Sequence, residues 1–189
     1  QIHQLGLSEV ARIRGEMDVV ARRAGFASRE AFIADLRSNP RYYVTTPQDL
    51  MMRTAIITRR IDGFLPRLFG HLPRLPYTIR EIPAETAEGT TTAYYAGGSQ
   101  AAGVAGTYYV NTSKLNQRPL YEIPALSLHE AVPGHHLQIS LQQELDLPMW
   151  RRNFAYFTAF TEGWGLYAER LGIDMELYDT PETDMGRLS

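Results

Sequence analysis

The segment SLHEAVPGHHLQ (Ser127–Gln138) places three histidines and a glutamate around a Pro-Gly pair. In the zinc-binding motif H-E-x-x-H, two histidines share one helix face because positions i and i+4 differ by only about 40°. Here His135 follows His129 by six positions, which on a regular helix rotates it by about 240° and displaces it by about 9 Å. His136 returns to the same face, but about 10 Å along the axis. A regular helix therefore cannot bring either histidine to a metal bound by His129.

The Pro133-Gly134 pair can interrupt the regular helix and so change the position of the later histidines. Pro133 lacks the amide that would bond to the carbonyl of His129, and Gly134 tolerates backbone angles closed to other residues. If two residues loop out here, His135 takes the i+4 position and becomes the second ligand, with His136 turned about 100° away. His136 would then meet a backbone carbonyl, a carboxylate or the substrate; it becomes the ligand only if three residues are absorbed. A polar surface patch, with Pro-Gly as a plain turn, is the alternative without a metal.

A third ligand is expected from the later segment FTEGWGLYAER (Phe160–Arg170). The chain has no cysteine, so a transition-metal site must use histidine and carboxylate. Glu162 would complete a site of two histidines and one glutamate, although a charge at a helix N-terminus also has an ordinary electrostatic explanation. Glu169 is expected to form an ion pair with a helical neighbour, or alternatively to support a ligand histidine from behind.

Charge and hydropathy exclude several classes of protein. The net charge of −2 gives no electrostatic footprint for nucleic acid. No apolar run reaches the roughly 18 residues that span a bilayer, so no transmembrane segment is expected in this piece. No signal-peptide pattern follows Gln1, which leaves the compartment open between cytoplasm and export. The absence of an initiator Met suggests an internal fragment of a longer protein.

Hydrophobic spacing predicts a mainly α fold with a small antiparallel β-sheet (α+β), in one partial domain over 1–189. The domain would contain a helical part (1–76), a small sheet (77–118) and the metal-site helices (119–189). The expected signals in the helical part are Ser8 as an N-cap, Gly25 as a stop, a short helix after Ser28, and Thr46-Pro47 starting a helix to about Ile61. The expected strands and later helices are Tyr77–Ile82, Thr90–Tyr95, Thr107–Val110, Ala125–Val132, His135–Leu145 and Asn153–Leu171.

Three segments, LHEAVPGHHLQ, GTYYVNTSKL and TEGWGLYAERLG, together resemble a bacterial family catalogued as domain of unknown function 885. That family is distantly similar to helical zinc peptidases of the angiotensin-converting and thermostable-carboxypeptidase type, in which H-E-x-G-H is followed by a helix beginning E-G. The resemblance implies a helical zinc-peptidase-like architecture and Zn²⁺ bound by His129, His135 and Glu162. It also implies Glu130 as general base and a peptide or related amide as substrate. The two extra residues before Gly134 depart from the pattern.

The same resemblance suggests how a substrate would lie. The strand Thr107–Asn111 would line the cleft and bind an extended peptide by strand addition. Tyr108 and Tyr109 point to opposite faces of a strand, so only one can face the site, and the alternative is that both pack the sheet. These tyrosines and His136 are the predicted substrate contacts.

The sequence thus favours a zinc metallopeptidase. Two alternatives stay open: a non-catalytic binding domain with a structural zinc site, and a metal-free helical interaction domain. Glu130 distinguishes the metallopeptidase from the structural zinc site, since a structural site has no use for a general base. Metal content distinguishes both of these from the metal-free domain.

Overall fold

The computed structural model describes residues 1–189 and contains nine α-helices and three β-strands. The helices are α1 (Ile2–Arg23), α2 (Arg29–Ser38), α3 (Pro47–Leu68), α4 (Ala84–Ala87), α5 (Ile123–Glu130), α6 (His135–Glu144), α7 (Met149–Asn153), α8 (Thr158–Leu171) and α9 (Pro181–Leu188). The strands are β1 (Tyr77–Glu81), β2 (Ala93–Ala96) and β3 (Gly106–Val110). This confirms the predicted class, mainly α with a small β-sheet. No helix is both long enough and apolar enough to cross a membrane.

Two helices begin where they were predicted, after Ser28 and at Thr46-Pro47, and each has a side-chain cap. The Ser28 hydroxyl accepts a hydrogen bond from the Ala31 amide at 3.2 Å and opens α2. The Thr46 hydroxyl accepts one from the Asp49 amide at 3.2 Å and opens α3, with proline as its first residue. Each cap satisfies an amide that the helix leaves free at its start and is worth about 1 kcal/mol.

Other helix boundaries differ from the prediction. Ser8 lies inside α1, where its hydroxyl donates to the Leu5 carbonyl at 2.7 Å instead of capping a helix. Helix α3 continues past Ile61 because Ile61 and Leu65 extend its buried face toward the core. Gly25 does lie just beyond the end of α1 with a φ of 84°, a conformation that favours glycine and stops a helix.

The predicted helix Asn153–Leu171 is in fact two helices. Helix α7 ends at Asn153, and α8 begins only at Thr158. The side-chain amide of Gln142, on α6, donates to the carbonyl of Arg152 at 2.9 Å and so satisfies one of the carbonyls left free at the end of α7. This contact between separate helices has no local sequence signal.

The sheet has the order β1-β3-β2, with β3 in the centre. Strands β2 and β3 pair antiparallel, as the predicted hairpin requires. Strands β1 and β3 pair parallel, from Tyr77 opposite Gly106 to Glu81 opposite Val110. The sheet is therefore mixed, and the prediction of a wholly antiparallel sheet is wrong in this pair. The chain passes through α4 and β2 before it reaches β3, so β3 can run in the same direction as β1.

Helix α5 lies in the middle of the core, packed against α3, α8 and β2. On one side, Leu128 is fully buried in a cluster with Ile61 of α3 and Met175. On the other side, Ile123 packs in a cluster with Tyr108 of β3. Burying one such side chain contributes roughly 1.5–3 kcal/mol, so α5 is a firmly held support for the polar residues at its end.

Candidate metal centre

Three side chains from three helices meet at one point. His129 is near the end of α5, His135 is the first residue of α6, and Glu162 lies in α8. The Glu162 Oε2 atom is 3.3 Å from His129 Nε2 and 3.7 Å from His135 Nε2, and the three ligand atoms all lie within 4.8 Å of one another. A tetrahedral zinc site needs donor atoms about 3.3–3.6 Å apart, and both distances from Glu162 are close to this spacing.

The chain break between α5 and α6 brings His135 to this point. Helix α5 ends at Glu130, and Ala131 and Gly134 have non-helical ψ angles of −113° and −129° before α6 begins. The predicted bulge is thus a full break between two helices. A Cβ atom at Gly134 would lie 1.8 Å from the His129 carbonyl oxygen, so only glycine fits there.

Glu169 contacts the nitrogen of the His129 imidazole that does not face Glu162. Its Oε1 lies 2.7 Å from His129 Nδ1, and this hydrogen bond is the main reason why the pKa of His129 is raised. If Nδ1–H donates to Glu169, the other nitrogen is left free to face His135 and Glu162. Of the two interpretations of Glu169, support of a histidine is therefore the one found.

Helix α8 approaches α5 closely because it carries a glycine where the two helices meet. A Cβ atom at Gly165 would lie 2.6–2.9 Å from three atoms of the His129 ring. One residue earlier, the Trp164 indole N–H donates to the Pro133 carbonyl at 2.8 Å and ties α8 to the break before His135. Trp164 and Gly165 thus both contact the segment that carries the histidines.

Replacing Gly165 with alanine should therefore weaken zinc binding by about 10–100-fold, the effect of disturbing the support of a ligand. The new methyl group would force the His129 ring to move. Gly163→Ala is a matched control on the same helix, since nothing lies within 4 Å of a Cβ there. Competition with a chromogenic chelator measures both affinities, and equal affinities would contradict this role of Gly165.

Glu130 lies beside the trio and is 8 % exposed, with no cation within ion-pairing distance. Burial raises the pKa of its carboxyl group to about 7, and the negative charge of Glu162 acts in the same direction. A carboxyl group with this pKa can take up and release a proton near neutrality.

His135 is held in its neutral form. Burial lowers its pKa, and the nearby His129 adds to the effect. Its Nδ1 atom is buried without a hydrogen-bond partner, while Nε2 faces Glu162. A neutral imidazole is the form that binds a metal ion, so the donor set fits zinc.

His136 has a different position from the one predicted for a substrate contact. It is 1 % exposed; its Nε2–H donates to the Leu75 carbonyl at 2.9 Å, and its Nδ1 accepts from the Tyr95 hydroxyl at 2.9 Å. The expected bond to a backbone carbonyl is confirmed. Because both nitrogens are occupied and buried, substrate contact by His136 is corrected to a role in holding α6 against the sheet.

The two tyrosines of β3 both pack the sheet. Tyr108 is 1 % exposed and lies in the core with Ile123 and Ala131, on the side of α5. Tyr109 is on the opposite face, where its ring stacks on Tyr94 at 4.9 Å. Tyr108 is closed off by the core, so its substrate contact is corrected to packing; Tyr109 faces away from α5, and its substrate contact stays a prediction.

A cleft of about 360 Å³ opens beside His129 and Glu130. It follows one face of α5 and is closed by the segment before β2, by Glu169 of α8 and by the end of α9. Its lining residues are Thr91, Thr92, Glu122, Ala125, Leu126, His129, Glu130, Glu169, Gly186 and Ser189. Such a cleft can hold part of a substrate next to the trio.

The whole sequence, residues 1–189, matches the family described as "Bacterial protein of unknown function (DUF885)". The chain belongs to this family. The predicted membership is thereby confirmed. No curated protein matches this DUF885 chain.

Two solved structures share the fold of this DUF885 chain. A "putative lipoprotein" from Colwellia psychrerythraea has a TM-score of 0.92 and 30 % identity, and the match covers 100 % of this chain and 33 % of that one. A "putative lipoprotein of unknown function" from Shewanella oneidensis has a TM-score of 0.74 and 19 % identity, with 100 % and 37 % covered. The DUF885 chain therefore spans about a third of the length of these two proteins.

The sequence did not reveal every residue that builds the site of this DUF885 chain. Tyr95 was predicted to lie in a strand, but its bond to His136 was not predicted. The bond of Trp164 to Pro133 was not predicted either. Both are side chains whose partners lie far away in the sequence. The two glycines around Trp164 did signal a close approach, and Gly165 makes one.

Proposed function

We propose that this protein is a zinc-dependent hydrolase, most simply a metallopeptidase with the architecture of the helical zinc peptidases. The observation that carries the proposal is the convergence of His129, His135 and Glu162 within 4.8 Å of one another, beside the buried Glu130 and a cleft. A zinc ion bound there would supply an acidified water and a polarised carbonyl group.

Each residue of the site has a distinct part in this proposal. The two imidazoles and the Glu162 carboxylate hold the metal, and Glu169 fixes the ring of His129 through the 2.7 Å contact. Glu130 accepts the proton of the attacking water and passes it to the leaving amine, a task that suits a pKa of about 7.

The free edge of β2, and not β3, is the strand to which an extended peptide could add. Strand β3 is paired on both sides, which excludes the predicted addition along Thr107–Asn111. The Asn111 amide donates to the Thr92 carbonyl at 3.0 Å, so alternate residues of β2, Ala93 and Tyr95, direct their backbone groups away from β3. Helix α5, which ends at Glu130, packs against β2, so this strand lies close to the proposed base. The edge supports a peptide as the substrate.

Two features favour turnover over a structural zinc site. Structural sites use four protein ligands, whereas the trio offers three and so leaves one position for water. A structural site also gives no reason for a buried carboxyl group, that of Glu130, without a cationic partner next to the ligands.

The purified protein should contain roughly one zinc ion per chain when no chelator is used, because the donor set is of the two-histidine, one-glutamate type. Elemental analysis measures the metal, and hydrolysis of a mixture of quenched fluorescent peptides measures activity. Less than about a tenth of an equivalent after zinc is added back would overturn the metal site and favour a metal-free interaction domain. Zinc without hydrolysis of any peptide would favour the structural role.

A further inference from the structure

The cleft follows α5 from Glu122, just before the helix, to Glu130 at its end. Glu122, the residue before α5, and Glu130 are eight residues apart, a distance of about 12 Å at the helical rise per residue. Thr91 and Thr92, just before β2, line the cleft opposite this helix. The cleft therefore has room for three or four extended residues, at about 3.3–3.6 Å each, beyond the metal site.

The charged groups that line the cleft are all acidic, apart from His129. The carboxylates are those of Glu122, Glu130 and Glu169, and no lysine or arginine lines the cleft. Glu169 is occupied by His129, and the buried Glu130 has the role of proton acceptor. Glu122 has no role in the proposed reaction, and it lies at the end of the cleft far from the metal site.

Glu122 has no ion pair within 4.0 Å and no side-chain hydrogen bond. The nearest arginine in sequence, Arg118, uses its Nε to bond the Asn111 carbonyl at 3.2 Å and another nitrogen to bond the Gln117 carbonyl at 3.3 Å. Burial raises the pKa of Glu122, and the charges of Arg118 and Arg37 only partly offset this effect. A partly buried carboxylate that opens into a cleft and has no close ion pair is stabilised by an incoming cation.

We propose that the cleft binds peptides carrying a positive charge about 12 Å from the bond that is cleaved, and that Glu122 receives this charge. This inference rests on the proposed function. The charge can belong to a lysine or arginine side chain or to a free amino terminus, since all three present N–H donors to a carboxylate. The buried Glu130, next to the metal site, fixes the end of the cleft at which the cleaved bond lies.

The test is a series of labelled hexapeptides in which one lysine moves from position to position, each paired with a norleucine peptide of similar length. Affinity is measured by fluorescence anisotropy, with the protein both zinc-loaded and zinc-free, so that binding is read independently of hydrolysis. Peptides with a free and with an acetylated amino terminus separate the two sources of charge. We expect the lysine peptide to bind about tenfold tighter than its partner at one position, with the advantage shrinking at high salt.

Glu122→Gln should remove the tenfold preference and leave the norleucine peptides unaffected. Glu85→Gln is the matched control, because Glu85 is an exposed carboxylate outside the cleft, and it should keep the preference. Equal binding of lysine and norleucine peptides, a preference that survives Glu122→Gln, or no peptide binding at all would each overturn the inference. If the protein neither retains zinc nor cleaves peptides but Glu122→Gln still removes the preference, the proposed function fails and the cation site stands.

Discussion

Replacing Glu130 with glutamine should slow peptide hydrolysis by about 10²–10⁴-fold while zinc stays bound. Glutamine has nearly the shape of glutamate, so the change removes the proton acceptor without opening a cavity. Glu130 is also absent from the trio of ligand atoms, so the metal should be unaffected. The measurements are kcat/KM with a quenched peptide and zinc content by elemental analysis, on the longest polypeptide that contains these residues.

Glu162→Ala is the comparison that makes the first experiment decisive. Glu162 supplies one of the three ligand atoms, so its loss should lower zinc content together with activity. Restoring excess zinc should recover some activity in Glu162→Ala and none in Glu130→Gln. Equal loss of metal in the two variants would show that the roles of base and ligand have been assigned wrongly.

His135→Ala should lower zinc affinity by more than about 100-fold, beyond the effect of losing an outer support of a ligand. The imidazole of His135 faces Glu162 and is kept neutral by burial, as a ligand must be. Its removal leaves two ligand atoms, which hold zinc weakly. Titration against a competing chelator gives the affinity, and circular dichroism checks that the fold is retained.

His136→Ala should have the opposite pattern, with zinc retained and stability lost. The substitution leaves a cavity at a side chain that is 1 % exposed and removes the partners of the Leu75 carbonyl and the Tyr95 hydroxyl. Together these effects should cost about 2–5 kcal/mol of the free energy of unfolding, measured by urea denaturation. If His136→Ala lost zinc while His135→Ala kept it, the second ligand would be His136.

Much of the candidate site could be predicted because its residues lie in short segments. The pair His129-Glu130, the glycine before His135 and the Glu162-Gly163 pair all stand within two stretches of a dozen residues. The choice of His135 over His136 also followed from helix geometry and from the break that Pro133-Gly134 imposes. The structure brings His129, His135 and Glu162 together as predicted, and their role as metal ligands stays a prediction.

The errors arose where the answer depended on distant parts of the chain. Local alternation placed Tyr108 and Tyr109 on opposite faces of β3, but only the packing of α5 decided which face is buried. The parallel pairing of β1 with β3 likewise depends on the path of the chain through α4 and β2. A hairpin can be predicted from two neighbouring strands, whereas a crossover cannot.

The sequence by itself determined the features that act over a few residues: the helix starts after Ser28 and at Thr46, the interruption at Pro133-Gly134, and the kinds of side chain available to a metal. Those features depend on hydrogen bonds and backbone sterics between near neighbours. The tertiary structure alone decided that His136 is buried against Tyr95 and that the free strand edge belongs to β2. These outcomes required whole elements to pack, because burial and strand pairing depend on which distant surfaces meet and not on the residues next in the chain.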